Sequence, residues 1–331
     1  MNKIYKIVAF ILCLVSFFSV SCEDSAETEG GGTLVEQELI PMKFSLSGWL
    51  STDVSPVSTR ALMGEEEKRS LVGEDIGLYI MLDTDYERVL HGMPLQAEYR
   101  YMNVRGKIMP DGSIYVANKT LYYPQNQQSR VAVIAYSPYR EDMPDDILYK
   151  GTVLSIQDNQ SSMESLNKSD LLIGFPEKGN PFRDAFANGD SQSTLISFSH
   201  AYSRIFLTVD LASKTDAAIY ESITVALDNT PLNARVNLAS SLIEALPLSK
   251  ARMEMLNEQL GRNLNGGTAS FQAAAIVFPQ EYDSENPPRF IVTLKGRPGF
   301  PDKVVIRTDT LGTAFSPGRD VRYSIHIDID E

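Results

Sequence analysis

The sequence predicts an all-β protein made of two tandem antiparallel β-sandwich domains with one short helical insertion. Three observations lead there. Apolar residues recur at every second position over most of the chain, the mark of strands with one buried face. Turn-forming residues interrupt these runs every 8–15 residues or so, a spacing typical of sandwiches rather than of a parallel α/β sheet. The length, 331 residues, suits about two domains of roughly 150 residues each. A hydrophobic content of 43% with 22% charged residues is that of a globular chain.

Lys3 and Lys6 precede an unbroken apolar stretch from Ile7 to Val20. That is too short for a membrane span and suits the hydrophobic region of a signal peptide, so residues 1–21 read as a cleaved leader. Ser19 and Ser21 supply small residues at −3 and −1, which makes Cys22 the first mature residue. The only other cysteine, Cys13, leaves with the leader, so Cys22 has no disulfide partner within the mature chain. A free thiol at that position is what lipoprotein maturation requires: a diacylglyceryl thioether forms on sulfur, and cleavage then exposes an acylated N-terminus. Phe18-Ser19-Val20-Ser21-Cys22 resembles the relaxed lipobox of Bacteroidota, departing from the stricter pattern with Leu at −3. A plain secretory cut is the alternative. Lipidation at Cys22 predicts a lipid anchor in the outer membrane, because each buried methylene contributes about 0.8 kcal/mol. Residues 22–40, rich in Glu and opening into Gly30-Gly31-Gly32, bury nothing and read as a flexible acidic tether.

The alternating runs follow in order. Phe44 and Leu46 open the first. Ile76–Leu82 and Val131–Tyr136 are nearly continuous apolar segments. Leu195–Val209, Ile223–Leu227, Ala275–Phe278, Phe290–Leu294 and Val304–Ile306 come next. Tyr323, Ile325, Ile327 and Ile329 close the chain in strict alternation with polar residues. Pro110-Asp111-Gly112 has the chemistry of a tight hairpin between Val104–Ile108 and Ser113–Val116. One helix is predicted over Ser249–Arg262, from the Lys250–Glu254 pair and the grouping of Met255, Leu256 and Leu260. The polar stretch Phe182–Ser193 is the best boundary, giving an N-terminal sandwich over 41–189 and a C-terminal one over 190–331.

Several function classes are disfavoured. The formal charge is −13, and it becomes −15 once Lys3 and Lys6 are removed. Such a chain lacks the basic footprint that a nucleic-acid partner needs. His91, His200 and His326 are far apart in sequence and have no ligand-spaced companions, so neither a metal nor a cofactor is predicted. His200 reads as a partly buried structural histidine. The mature chain offers no thiol nucleophile, GxSxG, P-loop or GxGxxG, and it does not read as an enzyme, although 43 acidic residues leave paired-carboxylate chemistry open. Tyr99, Tyr101, Tyr122, Tyr123, Tyr136 and Tyr139 could stack on sugars, but at alternating positions they read first as core or structural surface.

Ordered landmarks then carry a resemblance. They are Thr59-Arg60-Ala61 with Gly73–Tyr79, Leu121-Tyr122-Tyr123-Pro124 with Ala135–Tyr139, Asp158–Ser161 with Ser169–Leu172, Ile196–Ala201, Ala275–Gln280 and Phe315–Tyr323. Together these resemble the fimbrillins of Bacteroidales, the Mfa-like and FimA-like pilin superfamily. The Leu248–Asn265 segment matches no part of that pattern. The resemblance implies transthyretin-like sandwiches, assembly with other fimbrillin subunits, and removal of the first strand by an Arg-specific protease. Arg60 and Ala61 match the processing position, and a cut there releases Phe44, Leu46 and Leu50 with the lipid. The emptied groove would then take a neighbour's strand of similar pattern. Tyr323, Ile325, Ile327 and Ile329 have that form, and an ordinary last strand of their own sandwich is an equally open reading. The implied function is a surface fimbrium for adhesion. The alternatives are a monomeric surface lipoprotein binding a host receptor or glycan, and a lipid-retaining anchor subunit.

Overall fold

Most of the alternating runs become strands, and the chain is mostly β. The computed structural model describes residues 39–47, 71–125, 129–176, 182–184 (backbone only), 193–211, 219–257, 270–281, 285–308 and 314–327. The elements run in order as β1 (Phe44–Leu46), β2 (Asp75–Leu82), α1 (Asp83–Leu90), β3 (Arg100–Ile108), β4 (Ser113–Val116), β5 (Arg130–Ser137), β6 (Thr152–Ser155) and α2 (Met163–Ser169). Next come β7 (Leu172–Phe175), β8 (Phe182–Asp184), β9 (Thr194–His200), β10 (Ser203–Leu211), β11 (Tyr220–Pro231), β12 (Asn233–Asn237), β13 (Leu242–Ala245) and β14 (Lys250–Glu254). The last are β15 (Leu256–Asn257), β16 (Ser270–Val277), β17 (Gln280–Glu281), β18 (Arg289–Gly296), β19 (Lys303–Arg307), β20 (Ala314–Phe315) and β21 (Asp320–Ile327).

The first half forms a closed ring. The hydrogen-bonded order β2-β3-β4-β1-β9-β7-β5 returns to β2 through the β2–β5 pairing, and β8 lies beside the start of β5. A ring leaves no free sheet edge among its own seven strands. Inside it lie Met42, Phe44, Leu46, Ile76, Leu78, Ile80, Ile108, Ile114, Val131, Val133 and Ile196. The opposite faces of β2 and β5 bury Tyr79, Met81, Ala132, Ile134 and Tyr136 in a second core. Burial on both faces explains why these two strands read as continuous apolar runs.

That second core is shared with two four-stranded sheets, β15-β16-β10-β21 and β14-β11-β18-β19. β10 is a one-sided strand in which Ile205, Leu207, Val209 and Leu211 face inward. A ring contact at 5.4 Å between Phe290 of β18 and Tyr323 of β21 joins the two sheets. Gln160 adds a polar fastening. Its side-chain amide donates to the Ile276 carbonyl (2.9 Å) and accepts from the Ile276 N–H (2.8 Å), so it completes the backbone of β16 as a neighbouring peptide would.

Three expectations need correction. The helix over Ser249–Arg262 is absent from its described part, which forms β14 and β15 instead. Met253 and Met255 alternate into the core, and β14 pairs antiparallel with β11. The same spacing of Lys250 and Glu254 fits one face of a strand, and sheet pairing outweighs a weak helical pattern. Residues 258–262 lie outside the described residues. Secondly, the pairing is not wholly antiparallel: β1 runs parallel to β9, and β21 parallel to β10. Near the expected boundary at 189/190, β9 belongs to the ring, and β6 pairs with β12. Finally, among the described residues two α-helices occur where none was predicted. α1 carries Asp83 and Asp85 in its first turn and Arg88 in its last, matching the helix dipole. α2 starts at a capping box, in which Ser162 Oγ accepts from Ser165 N–H at 3.2 Å. No helix among the described residues is long and apolar enough to cross a membrane.

Candidate functional site

The site is the seat of β1 in the ring wall. Its local cause is the alternation Met42-Lys43-Phe44-Ser45-Leu46, which sends three apolar side chains inward and leaves Lys43 exposed. Met42 is 7%, Phe44 3% and Leu46 9% exposed. On one side β1 pairs antiparallel with β4, setting Phe44 opposite Ile114. On the other it pairs parallel with β9, setting Phe44 opposite Thr194 and Leu46 opposite Ile196.

Hydrogen bonds continue past both ends of the strand. Thr194 N–H donates to the Lys43 carbonyl (2.7 Å), Ser47 N–H to the Ile196 carbonyl (2.8 Å) and Leu46 N–H to the Gly112 carbonyl (2.8 Å). Gly112 belongs to the predicted Pro110-Asp111-Gly112 hairpin. Its φ of +80° suits glycine, which carries no Cβ to clash in that region. Asp111 Oδ1 accepts from both the Ser113 N–H (2.9 Å) and its hydroxyl (2.6 Å). Those two bonds hold the Asp111 carboxyl below its usual range. Ser45 and Ser193 hydroxyls meet at 2.7 Å.

Upstream of β1, residues 40–42 pair with the segment Leu121–Tyr123. Met42 N–H donates to the Leu121 carbonyl (2.7 Å) and Tyr123 N–H to the Ile40 carbonyl (2.9 Å), around an antiparallel Pro41–Tyr122 bridge. The opposite side of that segment meets phenols rather than a strand. The Tyr99 hydroxyl donates to the Tyr122 carbonyl (2.7 Å), and Tyr122 N–H donates to the Tyr101 hydroxyl (3.1 Å). The Tyr101 hydroxyl also reaches the Tyr122 carbonyl, at 3.4 Å. Burial, and then the neighbouring Tyr101 and Tyr123, push the Tyr99 phenol above its ordinary pKa.

Phe44 and Leu46 therefore both sit in the ring interior. Leu50, Cys22, Arg60, Ala61 and Ile329 lie outside the described residues. Tyr323, Ile325 and Ile327 lie in β21, in a different sheet from β1, and Ile325 and Ile327 are each 1% exposed. Of the six tyrosines singled out in the sequence, Tyr99, Tyr101, Tyr122 and Tyr123 gather at this seat. Tyr136 stands apart, stacked on Tyr79 at 6.0 Å and donating to Asn103 Oδ1 at 2.6 Å, and Tyr139 lies under the Arg105 guanidinium. His200 Nδ1 lies 2.9 Å from the Asp170 carboxylate. Leu121–Tyr123 stands among the sequence landmarks, but its pairing with residues 40–42 escapes the sequence reading because the run is too short to show a period.

An apolar ring closed by its first strand, with the last strand on a separate sheet, defines a class of β-rich protein by fold. The fimbrillin-like family model matches residues 59–329, and the chain belongs to that family. No curated protein matches it. Among solved structures, a candidate cell adhesion protein of Bacteroides uniformis ATCC 8492 superposes with a TM-score of 0.60 at 18% identity, over 88% of this chain and 95% of its own. A second candidate cell adhesion protein, from Bacteroides ovatus ATCC 8483, gives 0.54 at 15% identity, over 88% and 93%. At such identities the likeness is one of fold.

Proposed function

We propose that this chain is a fimbrial subunit for surface adhesion, exported as an outer-membrane lipoprotein through Cys22 and built of two tandem transthyretin-like domains. An Arg-specific protease cuts after Arg60, releases the segment that holds Phe44, Leu46 and Leu50, and leaves Ala61 as the new N-terminus. A neighbouring subunit then inserts Tyr323, Ile325, Ile327 and Ile329 into the vacated seat. The contact is head to tail and does not close, so it grows into a filament. The role is structural rather than catalytic, with other fimbrillin subunits as partners and a host receptor or glycan as the adhesive target.

One observation carries this reading: β1 has partners on both sides, β4 and β9. Its removal opens the ring and leaves two unpaired strand edges over an apolar interior, a geometry that invites strand addition. Burial of Met42, Phe44 and Leu46 contributes roughly 5–9 kcal/mol gross, and the incoming strand recovers it. A copy that keeps β1 has no open seat, which favours an uncut, lipid-retaining anchor as the second role. The test is to sequence the N-terminus of subunits in isolated surface filaments. Ala61 is the expected first residue, and filaments whose subunits begin at Cys22 overturn the mechanism.

A further inference from the structure

Among the described residues, the Leu121–Tyr123 segment has strand partners on one side only. On that side its donors and acceptors meet Ile40 and Met42, which belong to the segment released by a cut after Arg60. On the other side Tyr122 presents an N–H and a carbonyl where a ring strand would have another strand. Tyr101 and Tyr99 supply an acceptor and donors there, at 3.1, 2.7 and 3.4 Å. The two rings meet edge to face at 5.7 Å and pack against the ring core beside Tyr123. The phenols thus take the place of a strand: they satisfy the outer backbone groups of the segment and block a second chain from pairing there.

We infer that Tyr99 and Tyr101 are positioning residues that keep Leu121–Tyr123 extended as part of the acceptor edge when the first strand leaves, so that the incoming strand finds its pairing groups already aligned. This role rests on the strand-exchange reading above. Without the phenols, release of residues 40–42 leaves the backbone of Tyr122 and its neighbours with no partner among the described residues. An acceptor edge that must be ordered during binding captures its strand more slowly and more weakly than a preformed one.

The test uses the folded full chain, cut after Arg60 by an Arg-specific protease, and a synthetic peptide of residues 321–331. Wild type is compared with Tyr99→Phe, Tyr101→Phe and the double variant, which keep the rings and lose only the hydroxyls. Thermal unfolding of the uncut chains should stay close to wild type. Capture of the peptide by the cut double variant should fall about tenfold, the loss expected for one to two net hydrogen bonds. Hydrogen exchange on the uncut chain gives a second readout. The Tyr122 amide, which donates to Tyr101, should lose protection in Tyr101→Phe, while the Tyr123 amide, which donates to Ile40, keeps it. Equal peptide capture with unchanged Tyr122 protection overturns the positioning role and leaves strand exchange standing. A wild-type cut chain that takes no peptide at all overturns both.

Discussion

β1 and β21 open and close the described chain, and each pairs in parallel with one member of the consecutive strands β9 and β10. Their situations differ in one respect. β1 is short, with three residues in register with β9, but it sits between two neighbours and closes a ring. β21 has eight residues in register with β10, yet it ends its sheet. Loss of β1 removes little chain and changes the topology, creating two edges. Loss of β21 removes more pairing and merely moves the edge one strand inward. In the proposed strand exchange, the first strand is therefore the piece whose release would open a receptor, whereas the last strand is paired along its whole length within its own sheet. A donor role for Tyr323, Ile325 and Ile327 requires β21 to exchange one well-packed setting for another, so assembly by the proposed route would be a replacement of equivalent contacts.

The sharpest way to break that contrast is to place Asp at both Ile325 and Ile327. Both side chains are buried in the shared core, and a carboxyl there without partners costs several kcal/mol whether it ionises or not. The expected outcome is loss of the cooperative unfolding transition in circular dichroism. A variant that instead folds normally and only fails to polymerise shows that β21 is held loosely, which ends the distinction drawn between the two strands.

Phe44→Ala probes the other side of the comparison. Truncating a buried Phe lowers stability by about 3–5 kcal/mol, read from the midpoint of a denaturant titration. The damage should be local: amides of β4 and β9 lose protection in hydrogen exchange, while those pairing β10 with β16 keep theirs. Equal loss in both regions means that the seat of β1 does not open independently of the second core.

Alkali offers a chemical version of the same probe. Burial above all raises the pKa of Tyr79, Tyr99, Tyr136 and Tyr202 above the ordinary value of about 10. A raised value means that the fold favours the neutral phenol. In the unfolded chain the protons leave at about pH 10, so the stabilisation is complete below that pH and is lost as pH climbs toward the folded-state values. Absorbance near 295 nm should report these tyrosinates only together with unfolding. Ionisation of all the tyrosines near pH 10 in a folded chain contradicts their burial.

The two ends were not equally legible in the sequence. The alternation of Met42–Leu46 and of Tyr323–Ile327 marks both as strands, and Pro110-Asp111-Gly112 marks the hairpin that touches β1, because these are local signals of side-chain period and turn chemistry. Their partners could not be read, since β1 joins β9 and β21 joins β10 across more than a hundred residues of sequence, and no local rule encodes parallel pairing over such separations. Ring closure depends on β5 pairing with both β2 and β7, which its continuous apolar run announces only as burial on both faces. The misread helix at Ser249–Arg262 and the missed α2 have one cause: spacing of charges and apolar residues over a turn or two is weak evidence until the neighbouring sheet is known.

The smallest expected effect concerns the polar link between β1 and the β9 side of its seat. Ser45 and Ser193 share a hydrogen bond across the parallel β1–β9 contact, and its net contribution is about 0.5–1.5 kcal/mol. Ser45→Ala should therefore shift the unfolding midpoint slightly. If β1 opens as its own unit, however, the same substitution should speed hydrogen exchange at the Thr194 amide, which donates to Lys43, more than at any amide of β21. Ser193→Ala should match it, and the double variant should add little, because both single changes remove one shared bond. Additive effects mean that the hydroxyls act separately, in which case β1 is held to β9 by its backbone and its three apolar side chains alone.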